Sequence, residues 1–298
     1  MAEADAENQS VVIAVRVRPF NSREKDKDSE LIIQMKNNTT IIRNPITNTT
    51  KQFTFDYSYW SHDGFHENED GYLSDNCGRY TDQQKVFNDM GKTVLKNAWE
   101  GYNVSLFAYG QTGAGKSYSV VGYDANKGII PLVCEGIFSD IEKRKEIPGN
   151  QDEFKVELSM VEVYNEKVRD LLSGDKMGKN DPGLKLREDR DGRFRATDLR
   201  IDPVFSYDHI EQLIDSGKRN RTVAATNMNE TSSRAHTIVT VYFRQKLVNE
   251  HGESMSRVSE INLVDLAGSE RAKTIVKWYK LNSWSSNHQH TSVAILLF

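Results

Sequence analysis

Between Gly110 and Ser117 the chain reads GQTGAGKS, which satisfies G-x-x-x-x-G-K-[ST]. Glycine costs backbone entropy and weakens a helix, so three of them in so short a stretch need a compensating use. Bare backbone supplies one. Across Gly110, Gln111, Thr112, Gly113, Ala114 and Gly115, successive N–H groups can turn inward onto phosphate oxygens, and a helix starting beyond them adds its positive end. Lys116 is then spaced to reach the β and γ phosphates, and Ser117 to hold Mg²⁺. A second magnesium element is expected where an aspartate leaves an apolar run. INLVDLAGSE supplies it, with Asp265 closing Ile261 to Val264 and Gly268 following. The base is not guanine by this pattern. The N-K-x-D element of guanine binders is missing, because the Asn126-Lys127 pair continues Gly-Ile.

These residues need strands and helices to hold them. VVIAVRVRPF, from Val11, reads as a buried strand leaving the core, and VSLFAY, ahead of the glycine loop, as a short buried one. TDQQKVFNDMGKTVLKNAWEG predicts a helix. Thr81 and Gln84 have capping-box spacing, Phe87, Met90, Val94, Leu95 and Ala98 share a face, and Gly101 stands at the stop. PLVCEGIFSDIEKR predicts another, with Pro131 at the first helical position. EFKVELSMVEVY alternates as a strand, SGDKMGKNDPG is loop, and DHIEQLIDSGKRNRTVAAT is helical. HTIVTVYFRQKLV and SRVSEINLVDL predict two long strands joined by the polar turn NEHGES. Interleaved strands and helices point to an α/β fold, one domain with helices on both faces of a sheet.

Composition bounds the partners. The 298 residues are 37% hydrophobic and 28% charged, enough for a full core. The acidic opening MAEADAENQS predicts a flexible N-terminus over 1–10 and no secretion signal, and no run reaches the ~20 apolar residues that membrane insertion requires. Cys77 and Cys134 are too few for a disulfide framework. A net charge of −4 argues against a nucleic-acid partner.

FAYGQTGAGKS, NETSSRAH (Asn229 to His236) and LVDLAGSE (Leu263 to Glu270), in this order, resemble the phosphate loop, switch I and switch II of the kinesin motor domain. VRVRPF resembles the first strand of that family, and FDYSYWSH resembles its vesicle-transporting members. The resemblance runs from Val11 to Ala272. It implies a P-loop NTPase fold that binds ATP and Mg²⁺, hydrolyses ATP and moves along microtubules in the cytoplasm. By the same resemblance, Arg16, Arg18 and Pro19 with Tyr118 flank adenine. Ser232 and Ser233 contact the γ-phosphate and magnesium shell, Arg234 and Glu270 pair as the gate ordering the attacking water, and Gly268 senses phosphate through its N–H. Magnesium then belongs to Ser117, Ser233 and Asp265. One departure is Ala235, where the family carries serine. Tubulin is acidic, and the resemblance assigns its contact to a basic segment, Lys176 to Arg200, with eight Lys/Arg against five Asp/Glu.

Beyond Ala272 the resemblance stops. Lys273 to Phe298 contains no Asp or Glu yet holds two of the four tryptophans. The expectation is a partial motor domain over 11–272 and a divergent tail over 273–298. The sheet would then be incomplete at the C-terminus and lack the last central strand, and microtubule binding would weaken without the switch II helix. The alternative function is a motor-derived ATP-binding fragment without motility. TSVAILLF is apolar and β-branched enough to fill the empty strand position.

Overall fold

The computed structural model describes residues 11–173, 182–189, 192, 194–228, 234–249, 251–269 and 291–297. Its centre is a nine-stranded sheet: β1 (Val11–Val17), β2 (Tyr57–Trp60), β3 (Asn103–Tyr109), β4 (Glu153–Tyr164), β5 (Lys167–Asp170), β6 (Asp202–Val204), β7 (His236–Val248), β8 (Ser254–Asp265) and β9 (Thr291–Leu297). The spatial order is β5-β4-β7-β8-β3-β9-β1-β2, with β6 paired to β4. From β2 to β8 neighbours run parallel; β8, β7, β4 and β5 are antiparallel.

The sheet carries no open position between β1 and β3. β9 fills it, pairing Val11↔Val293 through Val15↔Leu297 on one side and Thr291↔Asn103 through Leu297↔Tyr109 on the other. The expected incompleteness of the sheet is therefore corrected. A strand hydrogen-bonded between two parallel neighbours inside a sheet suits a continuous apolar run, which VAILL provides.

The helices follow their sequence signals with local shifts. They are α1 (Ser22–Asp26), α2 (Gln83–Val86), α3 (Lys92–Glu100), α4 (Lys116–Val120), α5 (Ile129–Lys145) and α6 (Tyr207–Met228). Asp82, and not Thr81, caps α2 by accepting from the Lys85 N–H. The helix running from α2 into α3 passes through a π-turn at Phe87–Gly91, where an added Cβ on Gly91 would meet the Phe87 ring. Gly101 ends α3 in the left-handed conformation, φ 88°. Pro131 lies two residues inside α5 and not at its start, because Ile129 and Ile130 are buried and join the first turn.

Among the described residues α2, α3, α5 and α6 pack over one face of the sheet. Leu106, Leu158, Phe243, Ile261 and Leu263 meet Val86, Val94, Ile137 and Ile210 there in one buried cluster. Each such side chain contributes about 1.5–3 kcal/mol by leaving water. Phe107, Val264 and Leu266 form a smaller cluster.

Candidate functional site

The parallel strands deliver their carboxyl ends to one edge of the sheet, where open α/β sheets form their ligand crevices. β3 ends there at Tyr109 and β8 at Asp265, in neighbouring register through Ala108. From Tyr109 the chain turns through the glycine loop into α4. Gly113 and Gly115 take φ 77° and 104°, values that a side chain would strain, and a Cβ on Gly113 would point into open space. Lys116 is buried, its Nζ donating to the carbonyls of Gly110 at 2.9 Å and Gln111 at 3.0 Å. Ser117 Oγ donates to Asp265 Oδ2 at 2.6 Å, joining positions 148 residues apart. Burial raises the Asp265 pKa, opposed by the Ser117 hydrogen bond and the charges of Arg221 and Lys116.

The chain after β8 is tied to the loop strand. Leu266 N–H donates to Ala108 O at 3.2 Å and Ser269 N–H to Gly110 O at 3.0 Å, so the buried Gly268 is carried beside the phosphate loop. Arg234 is exposed two residues before β7, and Ala235 is buried, where a serine hydroxyl would need a partner. Ser232, Ser233 and Glu270 lie outside the described residues. So does much of the expected basic segment. Within its described part, Arg195 bonds Asp189 and Glu260, and Arg200 bonds Asp202.

On the other side of the loop the four residues expected around adenine divide. Pro19 is exposed and Tyr118 lies on α4, its ring stacked on Tyr123 at 6.3 Å. Arg18 braces the loop: Nε donates to Gly113 O at 2.6 Å, while its two terminal nitrogens hold both Glu24 oxygens at 2.7 and 2.8 Å. Arg16 departs from the adenine-flanking expectation. Its guanidinium is buried and donates to Ser61 Oγ, Gln83 Oε1, Ser119 Oγ and Thr81 O at 2.6 to 3.2 Å. It also lies over the Tyr118 ring, 5.2 Å from the ring centre.

Arg16 thus positions α4 and Tyr118 from below. Replacing it, as Arg16→Met, strands the buried Gln83 Oε1 and takes a donor from Ser61 and Ser119, and the expected loss is about 2 kcal/mol or more in chemical unfolding. The Arg18 bond lowers the Glu24 pKa from its ordinary 4.5 to about 2, with the Asn21 N–H adding to it. A depressed carboxyl stabilises the fold above 4.5 and loses that contribution as pH falls toward 2. Acid titration of Glu24→Gln is expected to show a shallower stability loss over that window than the unmodified chain.

Sequence reasoning missed Gln83, Ser61, Ser119, Glu24 and His236. Their partners stand 45 to 103 positions away for Arg16 and Ser61 or Ser119, and 31 for His236, whose Nδ1 accepts from Ala267 N–H. No local spacing encodes such pairs; Asn21 with Glu24 alone carried a readable signal, a capping box.

Fold and loop together define a protein of the P-loop NTPase class. A family model described as the kinesin motor domain matches residues 16–286. The chain is 47% identical over 279 residues to Kinesin-related protein 1 of Dictyostelium discoideum, covering 89% of this chain and 12% of that protein. It is 49% identical over 268 residues to Kinesin-like protein KIF1B of Homo sapiens, covering 88% and 14%. A solved KIF14 segment, in complex with ADP and a microtubule, superposes with a TM-score of 0.78 at 30% identity, covering 96% of this chain and 88% of that one. The chain belongs to the kinesin motor domain family. It spans 12% to 27% of the length of the curated relatives it matches. No helix among the described residues is long and apolar enough to cross a membrane.

Proposed function

We propose that this chain is an ATP-hydrolysing motor domain that works along microtubules in the cytoplasm. The observation that carries the reading is the Ser117 to Asp265 bond at 2.6 Å. It sets a hydroxyl and a carboxylate side by side at the mouth of the phosphate loop, the hard oxygen donors that Mg²⁺ accepts together with phosphate oxygens and water. Among the described residues no group of three His, Cys, Asp or Glu could hold a metal alone, which suits an ion shared with the nucleotide. Bound there, magnesium would neutralise charge on the β and γ phosphates.

The chain's own residues do the rest. N–H groups of Gly110 to Gly115 cradle the phosphates, and Lys116 turns from the Gly110 and Gln111 carbonyls to the β and γ oxygens. Tyr118 and Pro19 face the adenine, with Arg18 holding the loop and Arg16 seating Tyr118. Gly268 N–H meets the γ-phosphate, while Ser232, Ser233, Arg234 and Glu270 close on it and hold the attacking water. Loss of the γ-phosphate releases these two segments, the change a motor turns into altered track affinity. In this reading residues 11–272 form the motor body, and the divergent 273–298 returns a strand to its sheet.

Microtubule co-sedimentation with a non-hydrolysable ATP analogue tests it. Pelleting with the analogue, and microtubule-stimulated phosphate release with ATP, are the expected results. A folded chain that binds ATP yet stays in the supernatant would overturn the motor reading.

A further inference from the structure

His236 is the first residue of β7, buried, and absent from the roles given above. β7 and β8 remain paired as far as Thr237↔Asp265. Past that pair the chains part, one leading back to Arg234 and the other forward to Gly268. Among the described residues a side-chain bond spans the divergence: Ala267 N–H donates to His236 Nδ1 at 3.0 Å. An amide N–H can only donate, so Nδ1 carries a lone pair and any ring proton sits on Nε2. Burial and the Lys116 charge both lower the His236 pKa, in keeping with a neutral ring.

On its far side the same segment is fastened to the loop strand through Leu266 and Ser269. Residues 266–269 are therefore held between two carbonyls of the phosphate-loop strand and one imidazole nitrogen from the strand that follows Arg234.

We propose that His236 is a positioning residue which, through its unprotonated Nδ1, couples the segment around Arg234 to the backbone that presents the Gly268 N–H. This deepens the motor reading, since the two coupled segments are those assigned to the γ-phosphate. The physical sense is direct. A backbone donor aimed at developing charge works only when its peptide is held in place beforehand. Gly268 has no side chain to fix it, and the peptide preceding it is gripped instead.

Two substitutions separate the role from packing. His236→Asn keeps an acceptor near the Nδ1 position, and His236→Leu keeps bulk without one. The expected result is that His236→Asn stays within roughly threefold of the unmodified phosphate-release rate, while His236→Leu loses roughly tenfold or more in kcat with nucleotide affinity within roughly twofold. A second arm needs no hydrolysis. In ¹⁵N spectra of the unmodified chain, His236 Nδ1 is expected at the position of an unprotonated imidazole nitrogen, and the Ala267 amide should move in His236→Leu more than in His236→Asn. The proposal is overturned if Nδ1 carries a proton, if the two variants are equally impaired, or if His236→Leu has full kcat. Absence of ATP hydrolysis in the unmodified chain would instead count against the motor reading, and leaves the spectroscopic arm decisive.

Discussion

Lys116→Ala is expected to lower ATP affinity roughly 10- to 100-fold and hydrolysis by roughly a further 10²-fold or more. The side chain is buried at the mouth of the loop, with Nζ already held by two carbonyls on the inner rim of the cradle. A cation so placed is desolvated beforehand, so on turning to the phosphates it exchanges two neutral carbonyl acceptors for charged oxygens with no further loss of hydration. A charge-assisted hydrogen bond contributes about 1.5–3 kcal/mol, each 1.4 kcal/mol being tenfold in affinity. A donor aimed at charge that develops during reaction is worth roughly 10²–10³ in rate. Calorimetric titration with ATP checks the first part and steady-state phosphate release the second. Unchanged ATP affinity in folded Lys116→Ala protein would remove the basis of the proposed function.

The second large effect concerns β9. Ile295 faces Ile13 on one neighbour and Phe107 on the other, so its backbone sits in the middle of the sheet. Proline there removes the N–H from a central ladder and does not fit a strand paired on both sides. One lost bond and one stranded acceptor cost about 2–4 kcal/mol, a large share of the 5–15 kcal/mol that holds a domain together. Ile295→Pro is expected to lower the unfolding midpoint sharply or abolish cooperative unfolding, with Ile295→Val near the unmodified value. Hydrogen exchange should find the amides of 293–297 protected. Exchange at the rate of an unstructured peptide would show that β9 does not close the sheet. Because Leu297 pairs with Tyr109, the residue before the phosphate loop, loss of β9 should also weaken ATP binding.

What could be read from sequence depended on range. The phosphate loop, the aspartate ending β8 and the long β7 and β8 strands were legible because each signal is local: glycine and lysine at fixed spacing, an apolar run ended by a charge, period-2 alternation. Element ends were less so. The shift of the α2 cap from Thr81 to Asp82 turns on which side chain reaches the Lys85 N–H, and the π-turn at Phe87–Gly91 has no periodic signature. Arg16 shows the larger gap. As part of VRVRPF it looks like an arginine beside a ligand, yet the fold surrounds it with Ser61 just past β2, Gln83 on α2 and Ser119 on α4.

The chain's order of residues therefore determined by itself the phosphate cradle, the lysine and serine that serve it, and the apolar run able to become a central strand, since adjacent residues encode each. Tertiary structure decided which distant groups meet: Ser117 with Asp265, Arg16 with the bed of Tyr118, His236 with the Ala267 amide, and TSVAILL between β1 and β3. The physical reason is that burial makes a polar group find a partner wherever the packed sheet brings one, and that partner is chosen by strand order and register and not by spacing along the chain.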